Sequence, residues 1–527
     1  MKHTGSRARF VMITAVAALG LSAAYASDTP GDEPVVLTQV VVTGSYLPDS
    51  PSTATKPVQV YGPEQIADSG IATDLADFLR KADPQFTGNG SLGLENAGSE
   101  AFVTQGGSFL QIHNLKTLVL IDGERVAFDP AEAALGVEFV DLNMIPPSAI
   151  DHVEIVSDGT SALYGSDAVG GVINVIMKSN FNGWEAGIHW GESTNSGHYT
   201  ERTGYLSGGV SNKDTSVMVS VEGTETSPIF MSDRPYSNPI YTTTTYPGVI
   251  SMQPFTITFD PNTFQPVTQP GPLAYYQLNP AMNAPPPGLQ YSINQLVQMG
   301  VYSPVTSQQL QTGYNVANRQ TLLASLTRRS AMVDFEHHFF GDSLVAFGNG
   351  MYGFDRTQSS VAGESLSPYI SAPFTDPFIY GTSPPPPGAA AFVPYIPYLQ
   401  PNSPFSPNWL YQPSAQGTVI NLVNANNQFS QYPLVTQDKS EFLRFAGGLK
   451  GKLSDDYSWQ VTVDLNRYHL NVSGPGEINT ANLISALAAG TINPFAYTQA
   501  SGSLPSTIIG TKTDDMISTL GSIDVLF

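Results

Sequence analysis

Alternation of apolar and polar residues with a period of two, recurring far beyond the N-terminus, constrains this chain most. Thr215-Ser216-Val217-Met218-Val219-Ser220-Val221-Glu222 carries it, as does Trp184 to Gly191. Similar signals return over Ser330 to Phe340, Ser343 to Asp355, Glu441 to Leu453 and Ser458 to Asn471. Successive side chains of a strand point to opposite faces, so these stretches read as half-buried strands. Thr203 to Val210, the polar turn Ser211-Asn212-Lys213-Asp214 and Thr215 to Glu222 read as one hairpin. Aromatics recur near strand ends (Trp184, Tyr205, Phe340, Tyr352, Phe354, Trp459, Tyr468), as in membrane-interface girdles. A soluble sheet with one apolar face gives the same alternation, so the pattern alone leaves both readings open.

Composition narrows the choice. Only 13% of the 527 residues are charged, about half the usual share. Asp and Glu (44) outnumber Lys and Arg (22), giving a net charge of −22. Nucleic-acid binding needs clustered cations to neutralise phosphates, so that class is set aside. The absence of cysteine excludes thiol catalysis, disulfide frameworks and cysteine-based zinc sites. No apolar run after the N-terminus reaches about 18 residues, the length a spanning helix needs.

The N-terminus has the organisation of an export signal over residues 1–26. Lys2, Arg7 and Arg9 precede the apolar stretch Phe10 to Leu21, and Ala24-Tyr25-Ala26 supplies a small-x-small cleavage pattern before Ser27. Export of an acidic, cysteine-free, β-rich chain fits the periplasm or outer membrane of a Gram-negative bacterium. Residues 27–55 read as a flexible leader. Ser27 to Pro34 is polar and broken by Pro and Gly. Val40-Val41-Val42-Thr43-Gly44 then has high β propensity between polar flanks. Such a strand can add itself to the edge of another protein's sheet, or open the next domain. The residues allow either.

Residues 56–180 read as a compact α+β domain. Pro57 to Tyr61 alternates as a strand, and Pro63 and Glu64 suit the first turn of a helix that Gly70 stops. Thr73 is positioned to cap a second helix, Asp74 to Lys81, with Leu75, Phe78 and Leu79 on one face. Leu118 to Val126 is a hairpin around Asp122-Gly123. A short helix from Pro146, a strand over Val153 to Val156, a single turn Ser161 to Gly165 and a last strand Gly170 to Lys178 complete it.

The run Ala149 to Ile176 resembles the end of the plug domain of TonB-dependent outer-membrane receptors. It holds Ile150-Asp151-His152-Val153-Glu154-Ile155, then Asp158-Gly159-Thr160-Ser161-Ala162-Leu163-Tyr164-Gly165, then Gly171-Val172-Ile173-Asn174-Val175. These match the family's strand, turn and strand in order and spacing. Thr117 to Gly123 matches the preceding hairpin, and Val40 to Gly44 sits where the family's TonB box lies. Asp158, Gly159, Ser161, Tyr164, Gly165, Gly171 and Asn174 are read as structural plug-motif residues. The pattern departs at His113-Asn114, where members carry Arg-Gly, and at Glu124-Arg125, where the Arg-rich end of the hairpin is reduced. The usual ion pairs between plug and barrel wall are therefore not expected at that spot.

The resemblance implies an α+β plug followed, over 181–527, by antiparallel transmembrane β-barrel strands. It implies active uptake of a scarce, bulky solute across the outer membrane. Iron–siderophore complexes fit, with vitamin B12, haem or oligosaccharides as further classes. It also implies energy delivered by TonB of the TonB–ExbB–ExbD complex to residues 40–44, outer-membrane lipid around the strands, and no cofactor. A passive porin and a secreted β-rich binding protein or adhesin are the alternatives. Segments 227–317 and 357–438, rich in Pro, Tyr, Asn, Gln, Thr and Ser, are expected to be long extracellular loops. What remains after the plug and these segments holds about 16 strands at most, short of the 22 of large plugged barrels. An N-terminal part of a longer receptor, with an open sheet and two free edges, is the expectation.

No enzyme signature emerges. His337 and His338 are adjacent on a strand, should face opposite sides and cannot chelate one ion together. Asp455-Asp456 reads as a turn. Gly170-Gly171 opens no helix, and neither G-x-S-x-G nor a Ser/His/Asp spacing with a structural context occurs.

Overall fold

The computed structural model describes residues 58–69, 74–89, 104–133, 136–157, 160–194, 199–239, 249–361 with internal gaps, 372–373, 419–426, 434–454, 457–488 and 507–527. The export signal, the leader with Val40 to Gly44, and Thr73, Asp158 and Gly159 lie outside these residues.

A five-stranded mixed sheet organises the first domain. Its strands are β1 (Gln59–Tyr61), β2 (Thr117–Ile121), β3 (Glu124–Arg125), β4 (Ile150–Val156) and β5 (Gly171–Met177), in the order β1-β4-β5-β2-β3. β2 and β5 pair in parallel; the other neighbours are antiparallel. Helix α1 (Pro63–Asp68) carries Glu64 in its first turn. Helix α2 (Leu75–Ala82) is capped by Asp74, whose carboxylate accepts from the Asp77 N–H at 2.8 Å. The cap is thus Asp74 and the helix starts one residue later than the sequence reading placed it. Aspartate serves an N-cap by accepting from an otherwise unpartnered N–H. Leu75, Phe78 and Leu79 are buried on its inner face. Asp122 and Gly123 both have positive φ (53° and 84°), the geometry that lets a two-residue turn match strand twist.

Eight antiparallel strands follow and form a wall. They are β6 (Gly183–Glu192), β7 (Thr200–Ser211), β8 (Thr215–Thr226), β9 (Ser325–His338), β10 (Val345–Val361), β11 (Leu434–Ser454), β12 (Tyr457–Ile478) and β13 (Ile509–Leu526). Each pairs with its sequence neighbour, and β6 and β13 stand at opposite ends of the order, so no closed barrel forms among the described residues. Short turns join β7 to β8, β9 to β10 and β11 to β12 at one end; the long segments leave from the other.

Parity divides the wall into two faces. Trp184 (79% exposed), Ile188 (91%), Val219, Phe335, Leu443, Phe445, Leu465 and Ile523 project outward. Met332, Met351, Phe442, Tyr468, Leu470 and Val472 point inward and join one buried cluster with Phe78, Leu79, Ile150, Ile155 and Val175 of the first domain. Tyr468 therefore does not belong to an outer aromatic girdle; it is 1% exposed and inward. His337 stacks with Phe335 and Phe339, whereas His338 bonds Glu336 at 2.9 Å, so the two histidines face opposite ways.

The long segments carry more structure than loops. Val249–Phe259, Pro266–Pro270, Ala274–Leu278 and Tyr302–Val305 from the first segment join Ala372–Pro373 and Val419–Asn426 from the second in a separate six-stranded sheet. Val249 to Phe259 is rich in β-branched and aromatic residues, whose propensity prevails over the surrounding Pro and Asn. β10 and β11 also extend to Val361 and from Leu434, lengthening the wall into the second segment.

Candidate functional site: the seat between domain and wall

The first domain meets the inner face of the wall through two tiers of buried polar groups. The tier nearer the short turns is built on the Asp122-Gly123 turn. The Asp122 carboxylate accepts from the Met177 N–H at 2.9 Å and from the Asn349 amide of β10 at 3.0 Å. Gly123 N–H donates to the Asn174 side chain at 3.0 Å, which holds the turn against β5. Arg444 of β11, with its side chain fully buried, closes the arrangement. Its guanidinium donates to the Ile121 carbonyl (3.2 Å), to Asp464 (2.6 Å) and to Asn349 (2.8 Å). Burial pushes the Asp122 carboxyl up, and the Arg444 charge pulls it back. Burial also pushes Glu124 up to about 7, and the nearby Asp524 adds to the rise.

The second tier lies toward the long segments. Arg328 of β9 donates to one Asp355 oxygen from Nη2 (2.7 Å) and Nε (3.0 Å), with both side chains buried. Opposite them, Asp141 accepts from the Ser108 N–H and the Asn143 N–H, each at 3.0 Å, and from the Tyr468 hydroxyl of β12 at 3.3 Å. The Asn143 amide donates to Asp74 at 2.9 Å, which ties this tier to the cap of α2. Burial raises the Asp74 carboxyl, and the Arg328 charge lowers it. Burial, with Asp141 close by, raises Asp129 well above the ordinary carboxylate range. The chain passes between these groups at Gly106 and Gly107. A Cβ on Gly106 (φ +88°) would lie 2.5 Å from the Thr357 hydroxyl, and one on Gly107 would lie 2.9 Å from Asp129. A third contact joins Ser148 N–H to Glu222 of β8 at 3.0 Å.

The motif residues chosen from sequence fall partly here. Asn174 is buried and engaged as described, also donating to Glu154 at 3.4 Å. Gly171 has φ +140°, and a Cβ there would lie 2.6 Å from the Val156 carbonyl. Gly165 (φ +80°) ends the single turn Ser161–Tyr164; Ser161 is exposed and accepts the Gly165 N–H at 2.9 Å. Tyr164 packs on Leu118, Leu120, Ala168 and Val172. Arg125 stays inside the domain, bonding Asp167 at 2.7 Å, and His113 and Asn114 supply a turn with positive φ. The arginines that join domain and wall come from the wall instead. Sequence reading missed Arg328 and Arg444, although each sits at an inward parity position, Arg444 between Phe442 and Ala446.

Burial would lower the His152 imidazole, but hydrogen bonds with Asp151 (2.6 Å) and Glu154 (3.3 Å) outweigh it and hold it at about 9. No group of three or more His, Cys, Asp or Glu able to hold a metal occurs among the described residues.

Residues 50–172 match the family described as the TonB-dependent Receptor Plug Domain. The vitamin B12 transporter BtuB of Vibrio cholerae serotype O1 is 35% identical over 141 residues, 27% of this chain and 20% of that protein. The match thus spans about a fifth of that relative's length. Solved structures with similarity include a ferric enterobactin receptor of Pseudomonas aeruginosa (13% identity, 79% of this chain, 49% of that one, TM-score 0.34). The ferripyoverdine receptor of the same organism is another (12%, 93% and 52%, TM-score 0.35). By its plug domain, followed by the antiparallel wall packed on it, the chain belongs to the TonB-dependent receptors.

Proposed function

We propose that the chain takes part in TonB-dependent active uptake of a scarce, bulky solute across the bacterial outer membrane, with the plug as gate. The observation that carries this reading is the seat: polar hydrogen bonds between plug and wall inside, apolar side chains outside. An outward apolar face suits lipid, and hydrogen-bonded contacts inside a wall can be exchanged for water when a plug moves. A passive pore has no use for such a seat. The curated relative, a vitamin B12 transporter, supports a solute of that size class; an iron–siderophore complex is the other class in view.

In this reading residues 1–26 direct export and 27–55 form the leader. Val40, Val41, Val42, Thr43 and Gly44 pair as a strand with TonB of the TonB–ExbB–ExbD complex. Residues 56–180 are the plug, and 181–527 contribute barrel strands with extracellular segments 227–317 and 357–438. Val41→Pro removes a donor needed for strand pairing. Solute accumulation in a deletion strain complemented with this variant should fall to background, with membrane insertion intact. Accumulation equal to that with the unaltered chain would overturn the coupling assignment.

A further inference from the structure

The outward face of the wall changes character toward the long segments. Over much of its height it is apolar, with Val217, Val219, Val333, Phe335, Leu443 and Phe445 exposed. Above Tyr352 and Leu443, parity brings Arg356 of β10 and Lys439 of β11 to the same exposed face, directly opposite each other. Thr327 of β9 and Asn471 of β12 flank that pair at the same level, so no acid neighbours it across either strand. Arg329 is exposed on the same face, two residues from Thr327 and diagonal to Arg356. Like charges directly opposite in an antiparallel pair destabilise it. The acids behind them offer no relief: Asp355 and Asp438 face inward, Asp355 bonded to Arg328 and Asp438 accepting from the Thr357 hydroxyl. Glu441, the outward acid next along β11, leans to His469 at 3.9 Å, which itself bonds Asp515 at 2.6 Å. A chain with 22 cations against 44 anions places three of them together at the border of its apolar face.

We propose that Arg329, Arg356 and Lys439 bind the anionic, phosphate-bearing headgroup of a lipid in the leaflet on the long-segment side. A phosphate between Arg356 and Lys439 turns a repulsion into two charge-assisted contacts, and guanidinium geometry suits its oxygens. The apolar side chains immediately below, Tyr352, Leu443 and Phe445, receive the acyl chain. A free phosphate would use only the charges, so the pairing of cations with apolar surface selects a lipid. The inference rests on the reading of the wall as membrane-embedded.

The test is native mass spectrometry of the full chain, extracted in detergent and offered phosphatidic acid or phosphatidylcholine. Phosphatidic acid should bind preferentially, and the variant R356Q/K439Q should lose that preference roughly thirtyfold, about fivefold per basic residue at an anionic lipid surface. Lys213→Gln, in the exposed turn at the opposite end, should leave it intact, and Lys439→Arg should retain it. Equal phosphatidic acid binding by R356Q/K439Q overturns the proposal, as does displacement of the lipid by millimolar inorganic phosphate. A chain that stays dispersed without detergent and binds neither lipid would overturn the membrane reading itself.

Discussion

The two tiers of the seat use an arginine differently. Arg444 crosses from wall to plug, donating to the Ile121 carbonyl and bracing Asn349, which in turn donates to Asp122. Arg328 stays within the wall on Asp355 and meets the plug only through its field on acids such as Asp74. The first tier is a set of directional bonds that must break together for the turn to leave. The second is an acid-rich surface around one buried cation, held to the plug by Tyr468 and by the close passage of Gly106. Direct bonds fix register; a field tolerates sliding.

Removing Arg444 should break this contrast most. Arg444→Ala leaves Asp464 buried without its counter-charge and should cost about 3–5 kcal/mol. Thermal unfolding and protease access to the 122–123 turn would measure it. The variant R328M/D355L, which replaces a pair internal to the wall, should cost far less, since exchanging both partners of a buried pair is often near neutral. Equal losses would show that the tiers do not differ in kind.

Two glycines sharpen the comparison at the next scale. Gly106→Ala meets Thr357 at 2.5 Å in a left-handed backbone and should cost about 2–3 kcal/mol. Gly123→Ala has the same sign of φ but nothing within 4 Å, so only the backbone term of about 1 kcal/mol remains. Denaturant midpoints would separate them.

Tyr468→Phe removes the hydroxyl bonded to Asp141 at 3.3 Å and should cost about 1 kcal/mol. The smallest effect is a pH dependence. Glu124 in the fold titrates at about 7, above its ordinary 4.5, so the folded chain holds a proton that the unfolded chain releases in between. Stability falls as pH rises through that window. Glu124→Gln should therefore stabilise at pH 8, by under about 1 kcal/mol after solvent screening, and do nothing at pH 4. A gain that is equal at both pH values would assign the effect to packing.

What was legible in the sequence was local. Period-two parity distinguishes Val219 and Leu443 from Ser220 and Arg444, and the Asp122-Gly123 pair specifies its own turn. The seat was not legible, because Arg444 and Ile121 are 323 residues apart and only the wall's register brings them together. Parity did hold a clue, since Arg328 and Arg444 interrupt otherwise apolar or small inward rows. The second sheet was missed because Pro-rich surroundings drew attention from the Val249 to Phe259 run. Reduction of the hairpin to Glu124-Arg125 correctly removed an arginine from the plug side, but nothing local told that the wall supplies two.

The position of β1 has a mechanical consequence. It is an edge strand of three residues, paired with β4 alone through Gln59, Val60 and Tyr61. Tension entering through the chain ahead of Gln59 and directed away from the sheet loads these few pairs one after another, the way a zipper parts. β5, held between β4 and β2, bears load only afterwards. Its end is tethered to the wall through the short link from Met177 to Gly183. The plug is thus compliant where a pull arrives and stiff where it is anchored, so a modest force would move its leading edge before it disturbs its root.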